Sequence, residues 1–126
     1  MNARQVLVID DDDDIRAIVA MSLEAVGGYV VRTAASGSAG IASAIADPPD
    51  AILLDVMMPE MDGPTTFRKL QEIGSTHTIP VVLLTAKQPI GGDDMFADLG
   101  VCGVISKPFD VMGLPGLVAE TLGWQR

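Results

Sequence analysis

Basic residues are scarce in this chain: 8 lysines and arginines stand against 17 aspartates and glutamates, for a formal net charge of −9. That imbalance disfavours a direct grip on nucleic-acid phosphates, which depends on clustered lysine and arginine. Cysteine occurs once, at Cys102, so no internal disulfide can form, and with His77 as the single histidine there is no Cys/His set for zinc. No apolar run approaches the length needed to span a bilayer. The N-terminus has neither a basic leader nor a signal-peptide core, so a cytoplasmic chain without a membrane segment is expected.

What is present suits one globular core. A length of 126 residues leaves no room for a second domain of ordinary size, so residues 1–126 are expected to form a single domain. Hydrophobic residues make up 48% and charged residues 20%, which argues against disorder, collagen-like repeats and coiled coils.

Short aliphatic and β-branched runs alternate with longer amphipathic stretches, the pattern of parallel strands joined by crossover helices. The predicted strands are Val6 to Ile9, Tyr29 to Thr33, Ala51 to Leu54, Val81 to Leu84 and Val101 to Ile105. Most lack polar alternation, as strands covered on both faces do. Ile15, Ile18, Val19, Leu23 and Val26 predict a first helix, and Gly27-Gly28 supplies its stop. A second helix is predicted over Gly37 to Ala46, and a third from near Pro64 until Gly74 closes it. The fourth, Asp93 to Leu99, follows Pro89 and Gly91-Gly92 and is expected to be short. The fifth, Asp110 to Leu122, contains Gly113, Pro115 and Gly116, which predicts an irregular first turn.

Strand one runs into Asp10-Asp11-Asp12-Asp13-Asp14, and strand three runs into Asp55. Carboxylates from two segments thus meet at the C-terminal ends of strands, the edge where open α/β sheets bind ligands. Asp12, Asp13 and Asp14 are read as solvated capping residues, with Asp14 or Asp13 as the N-cap. Asp55 resists that reading, because it would lie at the mouth of a buried strand beside Asp10 and Asp11. Two carboxylates about 4 Å apart repel by roughly 4 kcal/mol at an effective dielectric near 20. A divalent cation would relieve this, and oxygen donors without histidine or thiolate favour Mg²⁺, with Mn²⁺ or Ca²⁺ as substitutes.

Strand four ends at Thr85-Ala86 and strand five at Ser106-Lys107-Pro108. With a strand order of 2-1-3-4-5, Asp55 is central, the metal-binding acids lie to one side, and Thr85 and Lys107 lie to the other. Neighbouring strands lie about 4.8 Å apart, a gap a lysine stem covers across two spacings. Taken alone, Thr85 reads as a β-former and Lys107 as a surface charge. Together they suit a phosphoryl group on Asp55, bonded by Thr85 or the Ala86 N–H and paired with Lys107.

These residues resemble the receiver domain of two-component response regulators. The matching segments are Val6-Leu7-Val8-Ile9-Asp10-Asp11 with Ile15-Arg16, Leu53-Leu54-Asp55-Val56-Met57-Met58-Pro59 through Met61-Asp62-Gly63, Leu83-Leu84-Thr85-Ala86, and Ser106-Lys107-Pro108-Phe109. The resemblance implies a flavodoxin-like doubly wound sheet in a phosphorelay component. Asp55 would accept a phosphoryl group from a phosphohistidine on a sensor histidine kinase or histidine phosphotransfer protein. Asp10 and Asp11 would hold Mg²⁺, Asp11 more directly, with the Met57 carbonyl as a further ligand. Thr85 and Lys107 would contact the phosphoryl group, and the Lys107-Pro108 bond would be cis. The chain would be a signalling phosphoacceptor that assists its own phosphorylation and dephosphorylation, not an enzyme acting on a separate substrate.

One departure concerns switching. Many receivers carry tyrosine or phenylalanine three residues before this lysine, and here Val104 stands there. Switching is therefore expected to rely on the loop after Thr85, the glycine-rich approach to helix four, or a partner reading the phosphoryl site. A stand-alone phosphoacceptor is expected, since no effector domain follows Trp124. A pseudo-receiver that binds partners without phosphorylation is the alternative, and the complete set Asp10, Asp11, Asp55, Thr85 and Lys107 argues against it. A haloacid dehalogenase-like phosphatase would want aspartate where Met57 stands. A flavodoxin would want a neutral phosphate loop where five aspartates stand. Met57 and Met58 are read as packing and loop residues, His77 as exposed, Cys102 as a small buried residue of strand five, and Trp124 as closing an apolar surface.

Overall fold

The computed structural model describes residues 3–85, 100–107 and 109–124. Within them, β1 (Gln5–Ile9), β2 (Val30–Ala34), β3 (Ala51–Asp55), β4 (Val81–Thr85) and β5 (Gly103–Ser106) form one sheet in the order β2-β1-β3-β4-β5. Every pairing is parallel, as strands joined by helical crossovers require. The described helices are α1 (Asp13–Met21), continued by a π-helical turn over Ser22–Val26, then α2 (Gly37–Ala46), α3 (Gly63–Glu72) and α4 (Leu114–Leu122). The parallel sheet is the one the strand and helix pattern predicts, and its order is that of the flavodoxin-like, doubly wound fold that the resemblance implies.

Alternation along each strand divides the core in two. Leu7, Ile9, Ile52, Leu54 and Leu83 pack with Ala44 of α2 and with Phe67 and Leu70 of α3. Val6, Val8, Leu53, Val82, Leu84 and Ile105 pack on the other face with Val19, Leu23, Leu114 and Val118. Strands β3 and β4 are buried throughout, which explains their unbroken apolar sequences. Among the described residues no helix is long and apolar enough to cross a membrane.

Several boundaries differ from the sequence expectation. β2 begins at Val30, because Tyr29 is held by the preceding turn, its N–H bonded to the Leu23 carbonyl. β5 begins at Gly103, since its ladder opens with Gly103 opposite Val82. Cys102 therefore precedes the strand and is exposed, not buried within it. α1 widens at Ser22, whose hydroxyl donates to the Val111 carbonyl at 2.5 Å, before Gly27 caps it and Gly28 turns with φ of 74°. The N-cap of α1 is Asp12, one residue earlier than Asp13 and two earlier than Asp14. Its Oδ1 accepts the Asp14 and Ile15 N–H groups at 2.9 and 3.1 Å. The last helix starts only at Leu114 because residues 111–113 form turns and Pro115 tolerates the first helical turn alone.

Trp124 meets Tyr29 edge-on at 5.5 Å, with the Arg4 guanidinium 4.6 Å above its ring, and so covers the end of the second cluster. His77 is exposed. The predicted helix from Asp93 to Leu99, the Ala86 N–H and the Lys107-Pro108 bond lie outside the described residues.

Candidate functional site

The carboxyl edge of the sheet gathers the predicted residues because each ends or directly follows a strand of the parallel sheet. Asp10 leaves β1, Asp55 ends β3, Thr85 ends β4 and Lys107 follows β5. Register fixes their proximity: Ile9 pairs with Leu54, Asp55 with Leu84, and Thr85 with Ser106. Two backbone bonds tie these ends together, from the Val56 N–H to the Leu84 carbonyl at 3.0 Å and from the Lys107 N–H to the Thr85 carbonyl at 2.7 Å.

Asp10, Asp11 and Asp55 each place a carboxylate oxygen within 4.8 Å of the others. Asp10 is fully buried and Asp55 is 5% exposed, whereas Asp11 faces solvent. Lys107 reaches further than predicted, since its Nζ donates to Asp55 Oδ1 and to Asp10 Oδ2, each at 3.1 Å. Its side chain is 15% exposed, which excludes an ordinary surface lysine. Thr85 is buried in the same wall.

Electrostatics follow from this crowding. Burial pushes the Asp55 carboxyl above the ordinary aspartate value of 3.8, and the Asp10 and Asp11 charges add to it; the Lys107 hydrogen bond and charge only partly counter them. Lys107 moves the other way to its own burial. Desolvation opposes its charge, yet hydrogen bonds to Asp55 and Asp10 and their charges hold its pKa above 10.5. Among the described residues one ammonium thus serves two carboxylates while a third stands alongside, leaving negative charge in excess in the pocket. Its donors are oxygens, with no imidazole or thiolate among them, so the residues present fit a hard divalent cation.

The loop after β3 is shaped by close approach. A Cβ on Gly63 would fall 2.5 Å from the Asp55 carbonyl oxygen and 2.9 Å from Val56 Cα, so only glycine passes there. Asp62 caps α3 by accepting the Thr65 N–H at 2.8 Å, and Thr65 hydrogen bonding holds its carboxyl below 3.8. Glu60 sits at φ of 67°, a left-handed position for a non-glycine residue. Of the two methionines after Asp55, Met58 joins the core and Met57 exposes its side chain.

Sequence reasoning assigned Arg16 no role. Its Nη1 donates to the Asp10 carbonyl at 2.8 Å, and its Nη2 to Asp13 Oδ1 at 2.5 Å. The signal available was an arginine in the first turn of a helix, where the dipole favours acids.

Comparison with known proteins agrees with this geometry. The family model described as response regulator receiver domain matches residues 6–119. RpaA of Synechocystis sp., a DNA-binding dual master transcriptional regulator, is 40% identical over 107 residues, covering 85% of this chain and 44% of its own length. The chain spans less than half the length of the curated relatives it matches. The chemotaxis protein CheY4 of Vibrio cholerae superposes with a TM-score of 0.86 at 28% identity, covering 94% of this chain and 98% of that one. The receiver domain of sensor histidine kinase PA1611 from Pseudomonas aeruginosa was solved with a magnesium ion coordinated in its active-site cleft. It superposes with a TM-score of 0.83 at 25% identity, covering 96% of this chain and 98% of that one.

Proposed function

The chain belongs to the response regulator receiver domain family, and from that premise we propose that Asp55 accepts a phosphoryl group from a phosphohistidine. The donor is a sensor histidine kinase or a histidine phosphotransfer protein. The observation that carries the reading is the cluster of Asp10, Asp11 and Asp55 oxygens within 4.8 Å, with Lys107 bonded to two of the three residues. An Asp55 carboxylate oxygen attacks phosphorus, the phosphorus–nitrogen bond breaks, and its electron pair returns to the imidazole, leaving an acyl phosphate on Asp55.

The transition state of such a transfer is loose and needs positioning and neutralisation more than covalent help. Asp10, Asp11, Asp55 and the Met57 carbonyl would hold Mg²⁺, or Mn²⁺ in its place, and the bound ion would neutralise charge on the phosphoryl oxygens. Lys107 pairs with the arriving phosphoryl group from the side of β5. Thr85, at the end of β4, donates its hydroxyl. The same residues assist loss of the phosphoryl group to water. A phosphohistidine donor places the reaction in the cytoplasm.

Residues 1–126 are proposed to form a single receiver domain, which the match over 6–119 and the single five-stranded sheet support. Val104 pairs with Leu83 and packs beside the first core cluster, so no aromatic ring follows Thr85 inward at that position. The response to phosphorylation is therefore assigned to the segment after Thr85 or to a partner that reads the phosphoryl site.

Incubation with acetyl phosphate and Mg²⁺ should add one phosphoryl group by intact mass, and Asp55→Asn should abolish the gain. Equal labelling of the variant would place the acceptor elsewhere.

A further inference from the structure

We infer that Arg16 is a positioning residue for the metal pocket: its guanidinium clamps the Asp10–Asp11 turn from behind and so sets where the Asp11 carboxylate stands. The inference rests on the reading of Asp10, Asp11 and Asp55 as a divalent-cation site.

Among the described residues four hydrogen bonds hold Asp10, one of them from its own N–H to the Ala34 carbonyl at 3.1 Å. Its Oδ1 accepts the Asp12 N–H at 3.0 Å, its Oδ2 accepts Lys107 Nζ at 3.1 Å, and its carbonyl accepts Arg16 Nη1 at 2.8 Å. The side-chain bonds orient the Asp10 carboxylate, and the one from the Asp12 N–H also holds the peptide that leaves Asp11. The Arg16 bond grips the peptide leading into Asp11, the one exposed acid of the cluster. Asp11 is exposed, so the backbone on either side of it does much to aim its carboxylate.

The dipole of α1 does not favour Arg16 where it stands. A cation in the first turns of a helix opposes the macrodipole, and α1 has no basic residue in its last turn, where one would be favoured. Side chains on a helix lean toward its N-terminus, which lets Arg16 reach back past the cap to the Asp10 carbonyl. Its second nitrogen holds Asp13 Oδ1 at 2.5 Å, but Asp13 is 84% exposed, and such a pair contributes little stability. What the pair does is fix the guanidinium plane, so both arms of the fork are used. Lysine has one nitrogen and cannot hold both partners from a rigid plane.

The test turns on sign. Electrostatics alone predicts that removing a cation beside an acidic pocket tightens Mg²⁺ binding; positioning predicts that it weakens. Calorimetric titration of Mg²⁺ into wild type, Arg16→Ala, Arg16→Lys and Asp11→Ala should show Arg16→Ala weaker by about 10-fold, as for other groups that orient metal ligands. Arg16→Lys, which keeps the charge and one donor, should fall between. In metal-free protein, the amide resonances of Asp11 and Asp12 should shift in Arg16→Ala, while its melting temperature stays within a few degrees of wild type. Affinity equal to or tighter than wild type in Arg16→Ala, or wild-type Asp11 and Asp12 resonances, would overturn the inference. If Arg16→Ala does not fold, wild-type affinity in Arg16→Lys would overturn it instead. Unchanged affinity in Asp11→Ala, or no binding by wild type, would remove the metal reading itself and this inference with it.

Discussion

Neutralising the proposed acceptor should make the metal-free protein more stable, although it removes a salt bridge. Consider Asp55→Asn. At an effective dielectric near 20, unit charges 4.8 Å apart repel by roughly 3.5 kcal/mol, and an ammonium 3.1 Å from a carboxylate attracts by roughly 5 kcal/mol. Ionised Asp55 faces two such repulsions and one attraction, so the pairwise terms nearly cancel, the more so because solvent screens exposed Asp11. Burial of the charge then decides the sign, as the upward shift of the Asp55 pKa requires. Lys107 keeps Asp10 as a partner in the variant. A gain of about 1–2 kcal/mol is expected near neutral pH, or roughly 4–8 °C in melting temperature for a domain of this size. The folded-state pKa lies above the unfolded value near 3.8, so the native state binds more protons between the two. The destabilisation by ionised Asp55 is therefore complete above the folded pKa and fades as pH falls toward 3.8, and the advantage of the variant should fade with it. Mg²⁺ should also narrow the gap, since it binds wild type better. Thermal melts in EDTA across pH 4 to 8, repeated with Mg²⁺, measure all three effects. A variant no more stable than wild type in EDTA at neutral pH would refute the reasoning.

The opposite sign is expected for Lys107→Ala, which leaves Asp10 and Asp55 facing each other without a cation. Metal-free stability should drop by about 2–3 kcal/mol, below the range for a wholly enclosed pair because Lys107 keeps 15% exposure. Mg²⁺ should restore part of it; urea denaturation with and without the ion reads both. Gly63→Ala would press its methyl against the Asp55 carbonyl oxygen at 2.5 Å. That overlap should cost about 2–3 kcal/mol in urea denaturation and slow phosphorylation by acetyl phosphate, and a variant with wild-type values would contradict the close approach. Mg²⁺ affinity should decline with acid sooner than for a set of ordinary carboxylates, since Asp55 holds its proton to a pH above 3.8. Calorimetry between pH 4 and 7 would show this, and a flat profile above pH 4 would argue against Asp55 as a ligand.

The signs of these predictions share one cause. Among the described residues the pocket holds more negative charge than the Lys107 ammonium can serve, and the surrounding fold is rigid enough to keep it so. β1 and β3 are paired up to Ile9 and Leu54, and β3 is buried throughout, so the buried carboxylates of Asp10 and Asp55 cannot simply move apart. Phosphorylation of Asp55 would place still more charge at the same point, which gives Lys107 and Thr85 a reason to respond.

Much of this was legible in the residue order. Apolar runs such as Ala51 to Leu54 and Val81 to Leu84 announce buried strands, because burial on both faces leaves no polar alternation to dilute the signal. Acids directly after two of those runs announce a charged edge, and the motifs around Asp55, Thr85 and Lys107 identify its kind. Local detail was less legible where several residues could do the same work. Asp14 or Asp13 reads as the cap of α1 in a run of identical residues, and only the extended backbone at Asp12 put the cap earlier. Cys102 looked like strand until the register placed Gly103 first against Val82.

The chain order and the spacing of apolar residues determine the alternating layers, the parallel sheet and the presence of a crowded acidic rim, because those depend on interactions repeated along the backbone. Folding in three dimensions decided that Lys107 bonds Asp10, 97 residues away, as well as Asp55, and that Arg16 turns back to hold the Asp10 carbonyl. Such contacts depend on strand register and side-chain direction between distant segments. A shift of one residue would reverse which face each side chain meets, and no local pattern records that choice.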